Sequence, residues 1–267
     1  MTPELVPALI LGLVQGLTEF LPISSDGHLA IASMLFGGTP SSLALVVLLH
    51  LGTLAATVVV LRDDVLKLVR TLATPSHWRG TEEGAALRTI VITSIPTAIV
   101  GLALHDRVEA WAESPLVVGA CLLLSAAAVA STRWTGARAT KESLDLPVWQ
   151  CVVIGIAQGL AVLPGLTRSG STIAVAMLLG IAGPAAFRLS FLLSLPAIAG
   201  AALLELRHPD VWSTLGLPAI AGALVAFAVG LAALLGLRHI VARGRFWAFA
   251  IYLVPLGAIL LWVGSTR

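Results

Sequence analysis

The chain has 267 residues, of which 58% are hydrophobic and only 11% are charged. Soluble domains carry about 25% charged residues, so this composition excludes a disordered chain, a basic nucleic-acid-binding module and most soluble enzymes. The 16 Lys and Arg residues nearly balance the 14 Asp and Glu residues, and the net charge of +2 implies no polyanionic partner. The chain is therefore predicted to be an integral membrane protein, with membrane lipids around it and no nucleic acid bound.

The apolar segments along the chain fall into two length classes. Four short segments form two pairs, each interrupted by Pro, Gly, Ser and charged residues: 5–17 with 29–36, and 148–163 with 172–181. Six longer segments approach the roughly 20 apolar residues that a spanning helix needs: 42–61, 89–104, 116–131, 189–204, 212–237 and 246–263. Apolar runs of about 10 to 14 residues favour re-entrant segments. The predicted fold is all-α, with six transmembrane helices plus two re-entrant helix–loop–helix hairpins.

The loops between these segments divide the Lys and Arg residues unequally. If the six long segments cross and the hairpins return to their own side, one side receives eleven basic residues and the other receives three. Cytoplasmic loops are enriched in Lys and Arg, so both termini are expected on the outer side of the membrane.

The two hairpins share a sequence pattern. Residues 12–17 (Gly-Leu-Val-Gln-Gly-Leu) are similar to residues 155–160 (Gly-Ile-Ala-Gln-Gly-Leu), and Pro22 and Pro164 then open polar loops. Entry from opposite sides predicts an inverted repeat of about 1–131 and 148–267 within a single membrane domain, 1–267. Broken helices of this kind bring their loops together near the midplane, where irregular backbone must be buried or line a wet cavity. The two loops are therefore expected to share one site.

The first loop carries groups suited to a cation and to proton transfer. Gln15 and Glu19 are four residues apart and share one helix face. With Asp26 they offer the oxygen ligands that Mg²⁺ or Ca²⁺ prefers. Ser25 and His28 could act as a nucleophile and a proton carrier.

The second loop carries groups suited to a phosphate. Arg168 offers a planar fork of donors, and the following helix adds backbone N–H groups. The neighbouring hydroxyls and glycines complete the predicted cradle: Gly165, Thr167, Ser169, Gly170, Ser171 and Thr172. The alternatives are helix packing for the small residues and a structural ion pair for Glu19 and Arg168. His50 lies in an otherwise apolar segment and is predicted to be a packing residue.

Both loops also resemble the signature of a known family. Residues 15–29 (Gln-Gly-Leu-Thr-Glu-Phe-Leu-Pro-Ile-Ser-Ser-Asp-Gly-His-Leu) are similar to the (E/Q)xxxE…PxSSxGHL motif of the bacterial undecaprenyl-diphosphate phosphatases, the bacitracin-resistance protein family. Residues 164–173 resemble the PGxSRSGxTI motif of that family. The similarity continues through 187–196 and 246–252, and so covers essentially the whole chain.

The resemblance implies hydrolysis of undecaprenyl diphosphate to undecaprenyl phosphate and inorganic phosphate. This activity recycles the lipid carrier for cell-wall synthesis and gives bacitracin resistance. The resemblance also implies a metal-dependent site open to the outer, periplasmic side of the bacterial cell membrane. By position, Gln15 and Glu19 match the acidic motif of the family. Ser25 and His28 match its catalytic hydroxyl and histidine. Arg168 matches its phosphate-binding arginine. The expected substrate-binding residues are Ser24, Gly27, Gly165, Thr167, Arg168, Ser169, Gly170 and Thr172.

Three departures and three alternatives accompany this resemblance. Asp26 stands where the family usually has Ser or Thr, and Leu253 stands where Arg is common. Thr167 replaces the usual Ser before the arginine and keeps the hydroxyl. A transporter or flippase of a phosphorylated polyprenyl lipid is the alternative function. A metal-bound water is the alternative to Ser25 as nucleophile, and the oligomeric state is open, with a homodimer as one alternative.

Overall fold

The structure is a computed structural model that describes residues 5–29, 43–136, 138–207 and 216–266. Within these ranges the chain is helical and contains no β-strand beyond one isolated bridge between Lys141 and Ile181. Short 3₁₀-helices occupy Pro75–Trp78 and Phe246–Phe249. The helices are α1 Leu5–Thr18, α2 Leu43–Val60, α3 Arg62–Ala73, α4 Glu82–Ala112, α5 Pro115–Thr135, α6 Val148–Leu160, α7 Arg168–Leu178, α8 Gly183–Glu205, α9 Leu217–Ala242 and α10 Ala250–Ser265.

The long apolar helices agree with the predicted spans. Among the described residues, α4, α5, α8, α9 and the segment Phe246–Ser265 are each long and apolar enough to cross a membrane. The helix α2 meets the same test together with α3, to which it is bent by 89°. The predicted all-α, multi-pass membrane protein is thereby confirmed.

The structure corrects two details of the long segments. Helix α4 begins at Glu82, well before the predicted start at residue 89, because Thr81 caps it by accepting a hydrogen bond from the Gly84 amide at 3.0 Å. Helix α3 follows α2 and was not predicted, because its charged residues interrupt the apolar pattern. Asp63 and Asp64 in its first turn and Arg70 in its last turn favour the helix through its dipole.

The hairpin helices are short, as their sequences predict. Helices α1 and α6 are apolar but below the length of a spanning helix. A second helical segment begins at residue 25 and is described to residue 29, and the rest of the predicted segment 29–36 lies outside the described residues. Helix α7 begins at Arg168 instead of residue 172, because the Thr167 side chain caps it. Re-entry into the membrane and the division into two repeats stay predictions.

The two related Gly-x-x-x-Gly segments pack closely against long helices. Helix α1 packs on α9, where a Cβ added to Gly12 would lie 2.3 Å from the Gly222 carbonyl oxygen. Helix α6 packs on α4, where a Cβ added to Gly155 would lie 2.4 Å from the Thr93 carbonyl oxygen. Only glycine permits this backbone approach, so each hairpin helix is held in place by a close helix contact.

Aromatic packing anchors the chain just after α1. Phe20 is buried against Phe191 of α8 with ring centroids 5.7 Å apart, and Phe187 packs on Phe191 at 4.8 Å. Such pairs stabilise a core beyond the burial of their area. They place the end of α1, and with it the first polar loop, firmly against α8.

Candidate active site

The structure brings the two polar loops into direct contact. The Gly165 amide donates a hydrogen bond of 3.2 Å to the Ser24 hydroxyl oxygen, across 141 residues of sequence. Ser24 adopts a φ of 71°, which is uncommon for a residue other than glycine. Gly165 has a φ of 96°, and a Cβ there would lie 2.4 Å from the Val118 carbonyl oxygen. These two backbone positions therefore fix the contact between the loops.

Glu19 is the centre of a hydrogen-bonded cluster that both loops build. The Ser25 hydroxyl donates to Glu19 Oε2 at 2.9 Å, and the Gln15 amide nitrogen donates to the same oxygen at 3.0 Å. Arg168 Nη2 donates to the other oxygen, Glu19 Oε1. Charge-assisted bonds of this type are short and strong. Four of the residues predicted for catalysis or metal binding thus form one unit.

This cluster opens into a cavity of about 700 Å³. The side chains predicted for the site that line the cavity are Glu19, Ser24, Ser25, Asp26, Thr167 and Arg168. The remaining walls are mostly apolar and come from α2, α4, α6 and α8. A concave, largely apolar pocket with a few convergent polar groups is the common form of a small-molecule site.

Two buried polar atoms beside Glu19 have no hydrogen-bond partner among the described residues. They are the second guanidinium nitrogen of Arg168, Nη1, and the amide oxygen of Gln15, Oε1. Buried polar groups are nearly always hydrogen-bonded, and an unpaired one calls for a water, an ion or a functional partner. Arg168 therefore has an unpaired donor and Gln15 an unpaired acceptor, both buried, and Gln15 itself does not line the cavity.

The other small residues of the second loop hold its shape. Thr167 caps α7 by accepting from the Gly170 amide at 2.9 Å, and a Cβ at Gly170 would lie 2.8 Å from the Thr167 hydroxyl oxygen. The Ser169 hydroxyl lies 3.4 Å from the Thr167 hydroxyl, and the Thr172 hydroxyl donates to the Arg168 carbonyl oxygen at 2.8 Å. Ser169, Gly170 and Thr172, with Gly165 and Gly27, do not line the cavity. The geometry gives them a packing or capping position behind it.

His28 faces away from the cavity. Its Nδ1 lies 2.8 Å from the Ser24 carbonyl oxygen, and because that oxygen can only accept, Nδ1 carries the hydrogen. In the neutral ring Nε2 is then an acceptor, and it lies 2.6 Å from the Tyr252 hydroxyl, which donates to it. The rings of His28 and Tyr252 also stack, with centroids 5.8 Å apart. Tyr252 of α10 thus holds His28, a contact that the sequence does not reveal.

His50 lies in the cavity, so its prediction as a packing residue was wrong. Its Nδ1 donates to the Val46 carbonyl oxygen at 2.9 Å, which directs Nε2 toward Glu19 Oε2 at 3.8 Å. The sequence could not show this, because the apolar run around His50 looks the same on its lipid-facing and its cavity-facing sides.

The donor set fits a cation that is shared with a substrate. No group of three or more His, Cys, Asp or Glu side chains among the described residues is arranged to enclose a metal ion. Glu19 and Asp26 line the same cavity, and the unpaired Gln15 amide oxygen is buried beside Glu19, outside the cavity lining. Mg²⁺ is usually bound through one or two carboxylates together with substrate phosphates, and this set matches that pattern.

Comparison with known proteins agrees with these features. The family model described as bacitracin resistance protein BacA matches residues 8–259. A protein of Desulfosudis oleivorans named undecaprenyl-diphosphatase is 41% identical over 277 residues, covering 98% of this chain and 99% of its own length. Two further proteins of the same name are each 39% identical to this chain. The match to the Korarchaeum cryptofilum protein covers 97% of this chain and 98% of that protein. The match to the Bacteroides thetaiotaomicron protein covers 94% of this chain and 95% of that protein. With a match that spans nearly its whole length, the chain belongs to the BacA family of bacitracin resistance proteins.

Proposed function

We propose that this chain is a membrane phosphatase that hydrolyses undecaprenyl diphosphate to undecaprenyl phosphate and inorganic phosphate. Its relatives are named for this activity. In the cell the reaction recycles the lipid carrier for cell-wall synthesis and gives bacitracin resistance. The observation that carries the proposal is the Glu19–Ser25–Arg168 cluster, which lies on a largely apolar cavity of a membrane protein.

Arg168 binds the terminal phosphate of the substrate. Its Nη2 is bonded to Glu19, which holds the plane of the guanidinium, and its buried Nη1 is left free to donate to a phosphate oxygen. A positioned Arg stabilises the negative charge that is spread over the phosphoryl oxygens in the transition state.

Ser25 is the nucleophile and Glu19 is its base. The Ser25 hydroxyl oxygen attacks the terminal phosphorus, and its hydrogen, already donated to Glu19 Oε2, passes to that carboxylate. The phosphorus–oxygen bond to the lipid monophosphate breaks, and the monophosphate leaves with the electron pair. Glu19 then loses the proton to cavity water. In the second step it takes a proton from the attacking water and returns it to Ser25 as inorganic phosphate forms. His28 lies off the cavity, so the geometry favours Glu19 for this proton.

Phosphate release by the purified protein in detergent tests the proposed activity. The enzyme is expected to release inorganic phosphate from undecaprenyl diphosphate with no membrane barrier present. A transporter or flippase needs two compartments, so a folded sample that releases no phosphate under these conditions would favour that alternative.

A divalent cation such as Mg²⁺ or Ca²⁺, held by Gln15, Glu19 and Asp26, would neutralise charge on the diphosphate when bound. Chelation with EDTA is expected to abolish phosphate release, and added Mg²⁺ or Ca²⁺ to restore it. Asp26→Ser removes one anionic ligand and should raise the metal concentration for half-maximal rate. Superimposable metal titrations of the wild type and Asp26→Ser would show that Asp26 is not a ligand.

We place the chain in the bacterial cell membrane with both termini and the cavity mouth facing outward. The cavity continues to His105 and Glu205, near the ends of α4 and α8 that adjoin the loops poorer in Lys and Arg. Because Cys121 and Cys151 are buried, a Cys introduced at Glu113 or Ser76 can be labelled selectively. An impermeant thiol reagent should label Glu113→Cys in intact cells and Ser76→Cys only after lysis, and the reverse pattern would invert the orientation.

A further inference from the structure

The cavity continues beyond the polar loops as a groove between α4 and α8. Helix α4 contributes residues 94, 97, 98, 101, 102 and 105, which are spaced as one face of a helix. Helix α8 contributes residues between 196 and 205 to the facing wall. Ser94 and His105 are eleven positions apart along the helix, so the groove is about 16 Å long.

Two glycines in this groove leave its space open. A Cβ added to Gly101 or to Gly200 would meet no atom within 4 Å among the described residues. They differ in this from Gly12 and Gly155, where an added Cβ would strike the backbone of a neighbouring helix at 2.3 and 2.4 Å. Gly101 and Gly200 therefore serve no close helix packing, and their lack of a side chain keeps the groove wide.

A buried amide marks the boundary between the polar and apolar parts of the cavity. Gln158 is only 4% exposed and lines the cavity, and its amide oxygen has no partner among the described residues. Its amide nitrogen lies 3.4 Å from the Thr97 hydroxyl, at the start of the groove. From Ala98 to Leu102, the α4 residues that line the groove are apolar or glycine. Beyond this apolar stretch the cavity ends at the polar side chains of His105 and Glu205. The occupant is therefore amphipathic, with a polar end at the loops and an apolar part between α4 and α8.

We propose that the prenyl chain of the substrate lies in this groove and that Gly101 and Gly200 are the residues that admit a long chain. The inference rests on the proposed function and adds the determinant of lipid specificity to it. The groove is continuous with the Glu19–Arg168 cluster, so a diphosphate bound there directs its own tail between the two helices.

Substitution of each glycine by Leu tests the groove without touching the loops. Leu favours a helix over Gly, so Gly101→Leu and Gly200→Leu should fold. Each should lower kcat/KM for undecaprenyl diphosphate by about tenfold or more, because even small changes in an apolar pocket alter specificity by about 10- to 200-fold. For a diphosphate with a single isoprene unit, kcat/KM should stay close to the wild-type value, since so short a tail does not reach the filled space.

Gly236→Leu is the matched control. Gly236 lies within α9 away from the cavity, and a Cβ there also meets no atom within 4 Å among the described residues. This variant should hydrolyse both substrates like the wild type. Equal losses on the long and the short substrate in the groove variants, or no loss on either, would overturn the proposed groove.

Direct binding separates a failure of the groove from a failure of the proposed function. The affinity for undecaprenyl phosphate, measured without hydrolysis, should fall in both groove variants and not in Gly236→Leu. If the wild type released no phosphate from either substrate, the proposed function would fail, and weaker binding in the two variants would still support the groove. Unchanged binding would overturn it.

Discussion

Replacing Arg168 by Lys is expected to lower kcat/KM for phosphate release by about 100-fold, equivalent to about 2.7 kcal/mol of transition-state stabilisation. The guanidinium can hold Glu19 through Nη2 and a phosphate oxygen through the free Nη1 at the same time. A Lys ammonium is a point charge on a flexible stem and cannot reproduce this planar arrangement. The positive charge beside Glu19 is kept, so the loss should appear in the kinetics with the fold intact.

Arg188→Lys is the matched control for this substitution. Arg188 also makes a two-bond contact with a carboxylate, through Nε at 3.2 Å and Nη2 at 2.5 Å to Asp64, but it joins α8 to α3 away from the cavity. Its kinetics should match those of the wild type, because exposed ion pairs contribute little. Near-normal kinetics for Arg168→Lys itself would leave the Glu19–Arg168 contact as a structural ion pair.

Glu19→Gln is expected to cause the largest loss, about 1,000-fold or more in kcat/KM, which corresponds to about 4 kcal/mol. The neutral amide cannot take the Ser25 proton. In the wild type, Gln15, Ser25 and Arg168 all donate hydrogen bonds to the Glu19 carboxylate. In Glu19→Gln, the NH₂ group of the new side chain must face at least one of these donors. Steady-state kinetics of phosphate release measure the loss of the base, and thermal unfolding of the same samples measures the loss of stability.

A second variant keeps this test decisive if Glu19→Gln unfolds. Removing one partner of a buried ion pair costs about 3 to 5 kcal/mol, and Arg168 would lose its counter-charge. Glu19→Asp keeps the charge but withdraws the carboxylate from Ser25, so it should fold and still lose activity. Glu113→Gln, at the exposed C-terminal cap of α4, is the control and should be neutral. Full activity in a folded Glu19→Asp or Glu19→Gln variant would exclude Glu19 as the base.

The sequence predicted those elements of the fold that depend on local properties, such as the length and hydropathy of a segment. The length of an apolar segment is set by the thickness of the bilayer, and for this reason the long spans were predictable. The sequence-based prediction missed the early start of α7, although Thr167 is a residue type favoured at a helix N-cap and its side chain accepts from the amide of Gly170, three residues later. It also missed α3, because an amphipathic helix with charged residues lacks a long apolar run.

By itself, the sequence determined that this protein crosses the membrane, that two short apolar pairs carry polar loops, and that Glu19, Ser25 and Arg168 are candidates for the site. Only the tertiary structure decided how these residues meet. Glu19 and Arg168 are 149 residues apart, and their contact depends on the close packing of α1 on α9 and of α6 on α4. The same packing turns His50 into the cavity and His28 toward Tyr252. Side-chain direction depends on which helices are neighbours, and the order of residues along one helix does not contain that information.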